Sequence, residues 1–297
     1  MAIFNTVPPL AAGAGIKFDG ERISTSAAPR NWLDNSDFRN PVNQRGVTTG
    51  TVTDWDYFID RWRGINNLKY TSGAGGITIS NGVFLQSLPA DAKRNGQTYT
   101  FAVGLSTGKT LSMPYTLPKS AVSAWTQFNK KVFSECNLEA AGDSINYSVF
   151  IHPNASITVL WAALYEGEYP AETLPEYQPK GYGAELAECL RYLEVINTGE
   201  TYGTFANGTM SSNDEAYFPI RYSEKRRIPS MNVTGKIRVF VNGSGHPVRN
   251  ENIRTDHATA RATRVICQPV DGGVKGQACE LQASADNTAK IEFCADL

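Results

Sequence analysis

Short runs in which apolar and polar residues alternate recur along most of the chain, and this two-residue period predicts β-strands. Between residues 54 and 169 the runs are bounded by turn residues and rich in β-branched and aromatic side chains. They read WDYFIDRW, GGITISNGVFLQSL, QTYTFAVGLS, KTLSMPYTL, INYSVFIH and SITVLWAALYEG. Their regular spacing predicts an antiparallel jelly-roll sandwich over residues 31–175.

Glycine positions predict two turns inside this region. Asn81-Gly82 separates ITIS from VFLQ and is predicted to form a tight hairpin turn. The stretch GLSTGKT, residues 104–110, resembles a phosphate-binding loop, but it has three residues between Gly and Gly-Lys-Thr where the motif needs four. A strand pattern follows it, whereas the motif needs a helix. We therefore predict a hairpin turn there.

A helical period follows the proline-rich boundary at residues 169–183. In AELAECLRYLEVIN the apolar residues fall at three- and four-residue steps, and Gly199 is placed to end the helix. The stripe consists of Leu186, Cys189, Leu193 and Ile196. Strand patterns then resume. The predicted fold is mainly β: the jelly-roll sandwich, followed by a second small β domain over residues 184–297 that is entered through one helix.

Residues 1–46 show neither period. The first 30 residues are rich in Pro, Ala and Gly with isolated apolar side chains, which predicts an extended arm held by another subunit or another protein. The next stretch, residues 31–46, mixes Asn, Asp and Gly with large apolar residues. We predict that the polar residues cap turns and sheet edges while the apolar ones plug the sandwich. These anchors are Trp32, Leu33, Phe38 and Val42.

Composition and charge remove several classes of function. A net charge of −1 leaves no basic field for a nucleic-acid backbone. The apolar runs fall well short of the ~20 residues that a membrane-spanning helix needs, so no membrane insertion is expected. The short cationic run at residues 225–227 is predicted to be a solvated turn. No cofactor is expected.

The five cysteines form no CxxC pair and have no spaced His partners, so no metal site is expected. The terminal stretch CELQASADNTAKIEFC is predicted to be a hairpin. A three-residue loop would pair Leu281 with Ile291 and Cys279 with Phe293, which buries one apolar face; a two-residue turn would place the leucine opposite a glutamate. The first register puts Cys279 and Cys294 on opposite faces. We therefore predict unpaired thiols, as in a reducing cytosol.

Carboxylates are the only serious catalytic candidates. Asp54 and Asp56 would share one face of a strand about 7 Å apart, which is within the window between the two carboxyls of a glycosidase. Asp60 follows them, and Glu166 and Glu168 lie in another strand pattern. Alternating acidic residues on a solvent face are common, however. The prediction is a protein without catalytic residues, not an enzyme.

Aromatic residues in polar stretches are candidates for sugar binding, because a sugar stacks its C–H face on Trp or Tyr while Asn, Asp, Gln and Arg bind its hydroxyls. Trp125 lies in the mixed stretch AVSAWTQFN and is predicted to be exposed. Trp62 and Trp161 lie in strongly apolar strands and are predicted to be core residues. The other candidates are Trp55, Tyr57, Tyr202 and Phe205.

Three stretches resemble a family. NWLDNSDFRNPVNQRG, followed by IDRW, resembles "LLDNSDF-NPVNQRG … DRW", the start of a module in tail-fibre and baseplate proteins of bacteriophages and prophages. ALYEGEYPAETLPEYQPKGYGAELAECLRYLE resembles "L-E-G … Y-P-R … EL-CQRYY", with Leu190 where the family usually has Gln. AYFPIRYSEKRRIPSMNV is similar to the "F-V-KR-TP-V" element of a C-terminal tip domain. The resemblance covers about residues 31–240.

This resemblance implies an attachment arm (1–30), a carbohydrate-binding-module-like jelly roll (31–175) and a receptor-facing tip (184–297). It implies a non-enzymatic virion protein of a phage tail, assembled in the host cytoplasm. The arm would bind other tail or baseplate proteins, and the tip would bind host cell-surface polysaccharide. The alternatives are a polysaccharide depolymerase of the glycoside-hydrolase type and a purely structural baseplate or fibre protein.

The same resemblance implies a homotrimer, since fibre proteins of this family are typically trimeric. The apolar stripe of the predicted helix, which needs a partner surface, is a second argument for three copies around an axis. Trimers also give weak sugar sites useful avidity. The predicted carbohydrate-binding residues are Tyr202, Phe205, Asn207, Asn242, His246 and Arg249 in the tip, with Trp125 in the jelly roll.

Overall fold

A computed structural model describes residues 29–88, 94–144 and 146–295, together with the backbone of 16–18 and 21–23. Within this part of the chain the sheets are antiparallel and there is one α-helix, so the predicted mainly β fold is confirmed. That helix is too short and too polar to cross a membrane. Strands β1 (Ile16–Phe18) and β2 (Glu21–Ile23) pair with each other. Residues 1–15, 19–20 and 24–28 of the predicted arm lie outside the described residues.

The first module is a ten-stranded sheet folded into a jelly-roll-like sandwich. Its central order is β8-β7-β12-β6-β11-β10-β9; β5 pairs with the other side of β6, and β3 and β4 pair with β5. The strands are β3 (Thr49–Val52), β4 (Asp56–Ile59), β5 (Trp62–Gly73), β6 (Gly76–Ser87), β7 (Thr98–Leu105), β8 (Thr110–Thr116), β9 (Thr126–Val132), β10 (Cys136–Gly142), β11 (Tyr147–Pro153) and β12 (Ile157–Glu166).

The predicted hairpin turn at Asn81-Gly82 is wrong, because this dipeptide lies in the middle of β6. The turn between β5 and β6 lies at residues 74–75 instead. Opposite Asn81-Gly82 the register of β5 shifts at Asn66 and Asn67, which both have positive φ. Asn and Gly tolerate this backbone conformation equally in a turn and in a bulge, so the local sequence does not distinguish the two.

The bulge lies where β6 changes its second pairing partner. The first half of β6 pairs with β12, and the second half pairs with β11. Gly82 has a φ of 81°, and a Cβ there would lie 2.4 Å from the Cα of Leu68. A side chain is therefore excluded at residue 82, where β6 lies against the bulge of β5. By contrast, the predicted hairpin at residues 104–110 is confirmed by the pairing of β7 with β8.

The first core forms around Trp62, which is fully buried as predicted. Its ring contacts Phe38 and Phe84 at centroid distances of 5.0 and 5.6 Å. Its indole N–H donates to the Asn35 carbonyl at 2.9 Å. We call residues 31–46 the collar. The four predicted anchors of the collar are all buried, which confirms their packing role: Trp32, Leu33, Phe38 and Val42.

The prediction that Trp161 is a core residue is wrong. Its neighbours Ala162 and Leu164 are buried, whereas Trp161 is only partly buried and lies flat against Tyr177, with ring centroids 4.7 Å apart and planes inclined by 5°. On its other side the indole covers Gly104, where a Cβ would clash with the ring. The run ITVLWAALYE is apolar on both faces, so its pattern does not show which face is inside.

Helix α1 covers Tyr182–Leu190, and the remainder of the predicted helix is strand β13 (Leu193–Asn197). Val195 and Ile196 are β-branched residues that favour a strand, and a short apolar run fits either period. The predicted stripe therefore does not form one helical face. Since the stripe is divided between α1 and β13, it gives no support to a trimer.

The second module is a sandwich of two antiparallel sheets around a separate hydrophobic core. The larger sheet has the order β18-β17-β21-β14-β15-β20-β19, and the smaller has the order β13-β22-β16. The remaining strands are β14 (Thr204–Met210), β15 (Ala216–Arg221), β16 (Ser230–Thr234), β17 (Ile237–Val241), β18 (Ser244–Val248), β19 (Ile253–Asp256), β20 (Ala262–Cys267), β21 (Ala278–Ala283) and β22 (Lys290–Cys294).

The predicted terminal hairpin is wrong, because β21 and β22 belong to different sheets. Leu281 and Ile291 both enter the second core, but from its two opposite layers. Burial alone cannot distinguish paired strands from strands that face each other across a core. No two cysteines of the described residues are joined by a disulfide.

The collar binds both modules. The Arg61 guanidinium pairs with buried Asp34 at 3.1 Å and lies 3.5 Å from the ring centroid of Tyr192, just after α1. The Gln44 side chain donates to the Leu193 carbonyl at 2.8 Å and accepts from the amide of Val195 at 3.2 Å. Strand β13 of the second module is thus hydrogen-bonded to a segment of the first.

In the cationic run at residues 225–227, which was predicted to be a solvated turn, Arg227 is exposed and Arg226 half-buried, but Lys225 is not solvated. The Lys225 side chain is fully buried and donates to the carbonyls of Leu190 and Ser223 and to the Glu194 carboxylate, at 2.7, 3.0 and 2.8 Å. Three acceptors satisfy its three donors, which is the condition for burying a lysine. A charge run in sequence does not reveal such partners, because they come from distant segments.

Candidate functional site

The larger sheet of the second module packs one face against the core and leaves the other open. Along β17, Ile237, Val239 and Val241 are buried, whereas Arg238 and Phe240 point outward. The neighbouring strands follow the same alternation. We call the open surface around Tyr202 the Tyr202 face; its residues are Tyr202, Thr204, Asn207, Arg238, Phe240, Glu280 and Gln282.

A chain of hydrogen bonds holds the centre of the Tyr202 face. Two nitrogens of Arg238 donate to the Gln282 side-chain oxygen at 3.0 and 2.8 Å. Gln282 in turn donates to the Glu280 carboxylate at 2.7 Å, and the Thr204 hydroxyl donates to the same carboxylate oxygen at 2.9 Å. Donor and acceptor groups on three adjacent strands are thereby held in fixed positions.

Tyr202 stands over this network. Its ring centroid is 4.3 Å from the Arg238 guanidinium carbon, and 53% of its surface remains exposed. Phe240 contacts the same guanidinium at 5.4 Å. Gly245, on the neighbouring strand β18, leaves room for this guanidinium, since a Cβ at residue 245 would lie 2.6 Å from the Nη1 of Arg238. An exposed ring beside ordered polar groups can stack on an apolar ligand face and hydrogen-bond to hydroxyls.

A second aromatic residue lies further along the same sheet surface. The Arg264 guanidinium is 4.1 Å from the ring centroid of Tyr217 and forms an ion pair with Asp256. Arg254 pairs with Glu215 nearby, at 2.8 Å. The sequence analysis missed Tyr217, Arg264, Arg238 and Gln282. For Arg238 and Phe240 the alternation in IRVFV was a usable signal, because it places both on the face opposite the valines.

The structure places only two of the predicted tip residues, Tyr202 and Asn207, on this face. Phe205 lies at an irregularity of β14 and packs against the second core. The surrounding polar residues give no sign of the bulge at this position, and it is the bulge that turns the Phe205 ring inward.

The other tip residues surround the β17–β18 hairpin. Asn242 is exposed in the turn, with a φ of 55°, and His246 pairs with the inward-facing Val239. Arg249 is 82% exposed and lies 3.8 Å from Glu251. Among the described contacts, none joins these residues to Tyr202.

Trp125 belongs to a different surface, on the first module. It is 49% exposed, as predicted, and packs edge-on against Phe150 at 6.2 Å. Phe150 is part of a small outer cluster with Val83, Leu85 and Ala141. Beside it His152 lies 3.2 Å from Glu139, and burial lowers the pKa of the histidine. Trp125 thus caps an apolar patch separate from the Tyr202 face.

The carboxylates do not form the pair that was weighed for catalysis. Asp54 lies in a turn, next to Trp55 at a positive φ of 65°, and β4 begins only at Asp56. The shared strand face is therefore wrong. Asp60 is buried and bound to Gln44 at 2.7 Å and to Arg45 at 3.4 Å, so it stabilises the collar.

The fold and this surface define a mainly β protein of two sandwiches with an open, polar and aromatic sheet face. Comparison with protein-family models, with curated proteins and with solved structures gives no match for this chain.

Proposed function

We propose that this chain is a non-enzymatic receptor-binding or tail-fibre protein of a bacteriophage virion, which binds a host cell-surface glycan through the Tyr202 face. The observation that carries the glycan proposal is the half-exposed Tyr202 ring held over Arg238, whose guanidinium is fixed by Gln282. The tail assignment is supported by the resemblance of residues 31–46 and 59–62 to tail-fibre and baseplate modules.

The surface suits a sugar better than an apolar ligand. Around Tyr202 the neighbouring side chains are a guanidinium, a carboxylate, a carboxamide and a hydroxyl, which offer both donors and acceptors. It is also an open face rather than a deep cavity, so it fits a segment of an extended polymer. Single sites of this kind bind weakly, and a homotrimer would raise their avidity through high effective concentration.

Attachment is assigned to the other end of the chain. We propose that residues 1–30 bind another tail or baseplate protein, and that the collar transmits that anchoring to both modules. The collar supports this role because it hydrogen-bonds to α1 and β13 while its apolar side chains fill the first core. A chain lacking residues 1–30 should fold and bind glycan but fail to join the particle.

The test is binding of the full chain to an array of bacterial surface polysaccharides and to intact cells. Tyr202→Ala should weaken binding at least about ten-fold, as for an aromatic hot spot. Tyr182→Ala is the matched control, because Tyr182 is 48% exposed and lies at the start of α1, away from the larger sheet. Equal binding by both variants would remove the Tyr202 face from the proposal.

Two further results would change the class of protein. Release of reducing ends from a bound polysaccharide would establish a depolymerase. A folded wild-type chain that binds no polysaccharide and no cell would establish a purely structural fibre or baseplate role. The molar mass of the same sample by light scattering tests the proposed homotrimer, since the mass of a monomer would contradict it.

A further inference from the structure

A cavity of about 650 Å³ lies between helix α1 and the loop at residues 222–227. Its polar lining is dominated by cationic side chains from both segments. The amide of Arg226 donates to the carbonyl of Arg191 at 3.0 Å, which places these two arginines beside each other. The cavity is lined by Ala187, Leu190, Arg191, Ser223, Glu224, Lys225 and Arg226.

The acidic groups near this cavity already have partners. Glu194 accepts from the amide of Ser223 and from Lys225, both at 2.8 Å. Glu224 pairs with Arg261 at 2.7 Å. Lys225 uses all three of its donors on Glu194 and two carbonyls, so its role is to shape the loop. The charges left to act on the cavity are those of Arg191 and Arg226.

These two guanidinium groups lack acceptors within the part of the chain that the structure describes. The side chain of Arg191 is exposed and makes no hydrogen bond or ion pair there. Arg226 packs against Tyr192, with 5.3 Å between the guanidinium carbon and the ring centroid, and its Nη1 is buried without an acceptor. A buried donor without a partner costs free energy that an incoming acceptor would recover.

We infer that this cavity is a binding site for a phosphate-like oxyanion, held between Arg191 and Arg226. The planar fork of a guanidinium matches two oxygens of such an anion, and hydrogen bonds between charged partners are stronger than neutral ones. The site lies at the junction of α1 with the second module, separate from the Tyr202 face, and does not depend on the proposed glycan function.

Calorimetric titration of the full chain with inorganic phosphate, at ionic strength balanced with chloride, tests the inference. The wild type should bind phosphate at one saturable site, and Arg226→Gln and Arg191→Gln should each weaken binding about ten-fold. Arg249→Gln, which removes an equal charge from an 82% exposed position outside the cavity, should bind phosphate like the wild type.

Loss of the fold is checked by the circular-dichroism melting curve. If Arg226→Gln melts early, Arg191→Gln decides, since its side chain is exposed and supports no packing contact described above. A wild type without saturable phosphate binding, or a folded Arg191→Gln variant with wild-type affinity, would overturn the inference. Titration with glucose 1-phosphate separates the sources: tighter binding than phosphate supports a sugar-borne anion, and equal binding supports a free one.

Discussion

The Glu185 carboxylate, on the first turn of α1, accepts the backbone amide of Asn35 at 2.6 Å. Its second oxygen accepts the amide of Ser36 at 3.3 Å. The Asn35 side chain also donates to the carbonyl of Val42, within the collar, and to the carbonyl of Asp60, which follows β4. A helix of the second half of the chain is thus bound to the collar of the first by one acidic side chain, which is itself buried.

This contact predicts an unusual pH dependence. Burial, the main cause, raises the pKa of Glu185 above its ordinary value of 4.5, despite the opposing charge of Lys180 and the two amides. A raised pKa in the folded state means that the neutral acid is favoured there, so the stability from this group is largest in acid and is lost as pH rises through the folded pKa. The wild type should therefore gain stability relative to Glu185→Gln as pH falls from 7 toward the ordinary pKa of a glutamate.

Chemical denaturation of both proteins at several pH values measures this difference. Glu188 also has a raised pKa, chiefly from burial, and is retained in both proteins, so its contribution cancels in the comparison. If the wild type instead loses stability relative to Glu185→Gln as pH falls, hydrogen bonding to the charged carboxylate outweighs its burial.

The two tryptophans first assigned to the core should differ in their cost of removal. Trp62→Ala should destabilise the protein by about 3–5 kcal/mol, because the indole is fully buried among Phe38 and Phe84. Trp161→Ala should cost about 1–2 kcal/mol, since its ring is partly exposed and mainly stacks on Tyr177. Urea denaturation of the two variants measures both values. Equal losses would contradict the outward orientation of Trp161.

The close contact between Gly82 of β6 and the bulge of β5 can be tested by substituting alanine. Gly82→Ala should cost at least about 2 kcal/mol, because a Cβ at positive φ is strained and would meet the backbone of Leu68. Gly75→Ala is the control, since its φ is not positive and nothing lies within 4 Å of the added Cβ. Thermal melts suffice for the comparison. If both variants melt at the same temperature, a Cβ at residue 82 does not meet the backbone of Leu68, and the close contact described here is wrong.

The thiols should react unequally with a disulfide reagent. Burial raises the pKa of Cys136 and Cys267 to about 12 and that of Cys279 to about 11, and it raises that of Cys189 as well. Cys294 is only partly buried. At pH 8 the folded protein should therefore show one fast-reacting thiol, with the other four reacting only after unfolding. Cys294→Ser should abolish the fast phase; several fast thiols in the wild type would contradict the buried positions.

The sequence by itself determined the β class, the hairpin at residues 104–110, the four collar anchors and the exposure of Trp125. These features follow from side-chain period, turn chemistry and local polarity, which act over a few neighbouring residues. The start of α1 was also readable, but not its end, because an apolar run such as LEVI fits a helix and a strand equally.

Only the tertiary structure decided the rest. It placed Asn81-Gly82 within β6, opposite a bulge of β5, and separated β21 from β22 into two layers. It also turned Trp161 outward and buried Lys225 among three acceptors. It also assembled the Tyr202 face from β14, β17 and β21, and left Phe205, Asn242, His246 and Arg249 off it. In each case the outcome depends on partners that are distant in sequence, and local periodicity carries no information about which strands pair or which face a second sheet covers.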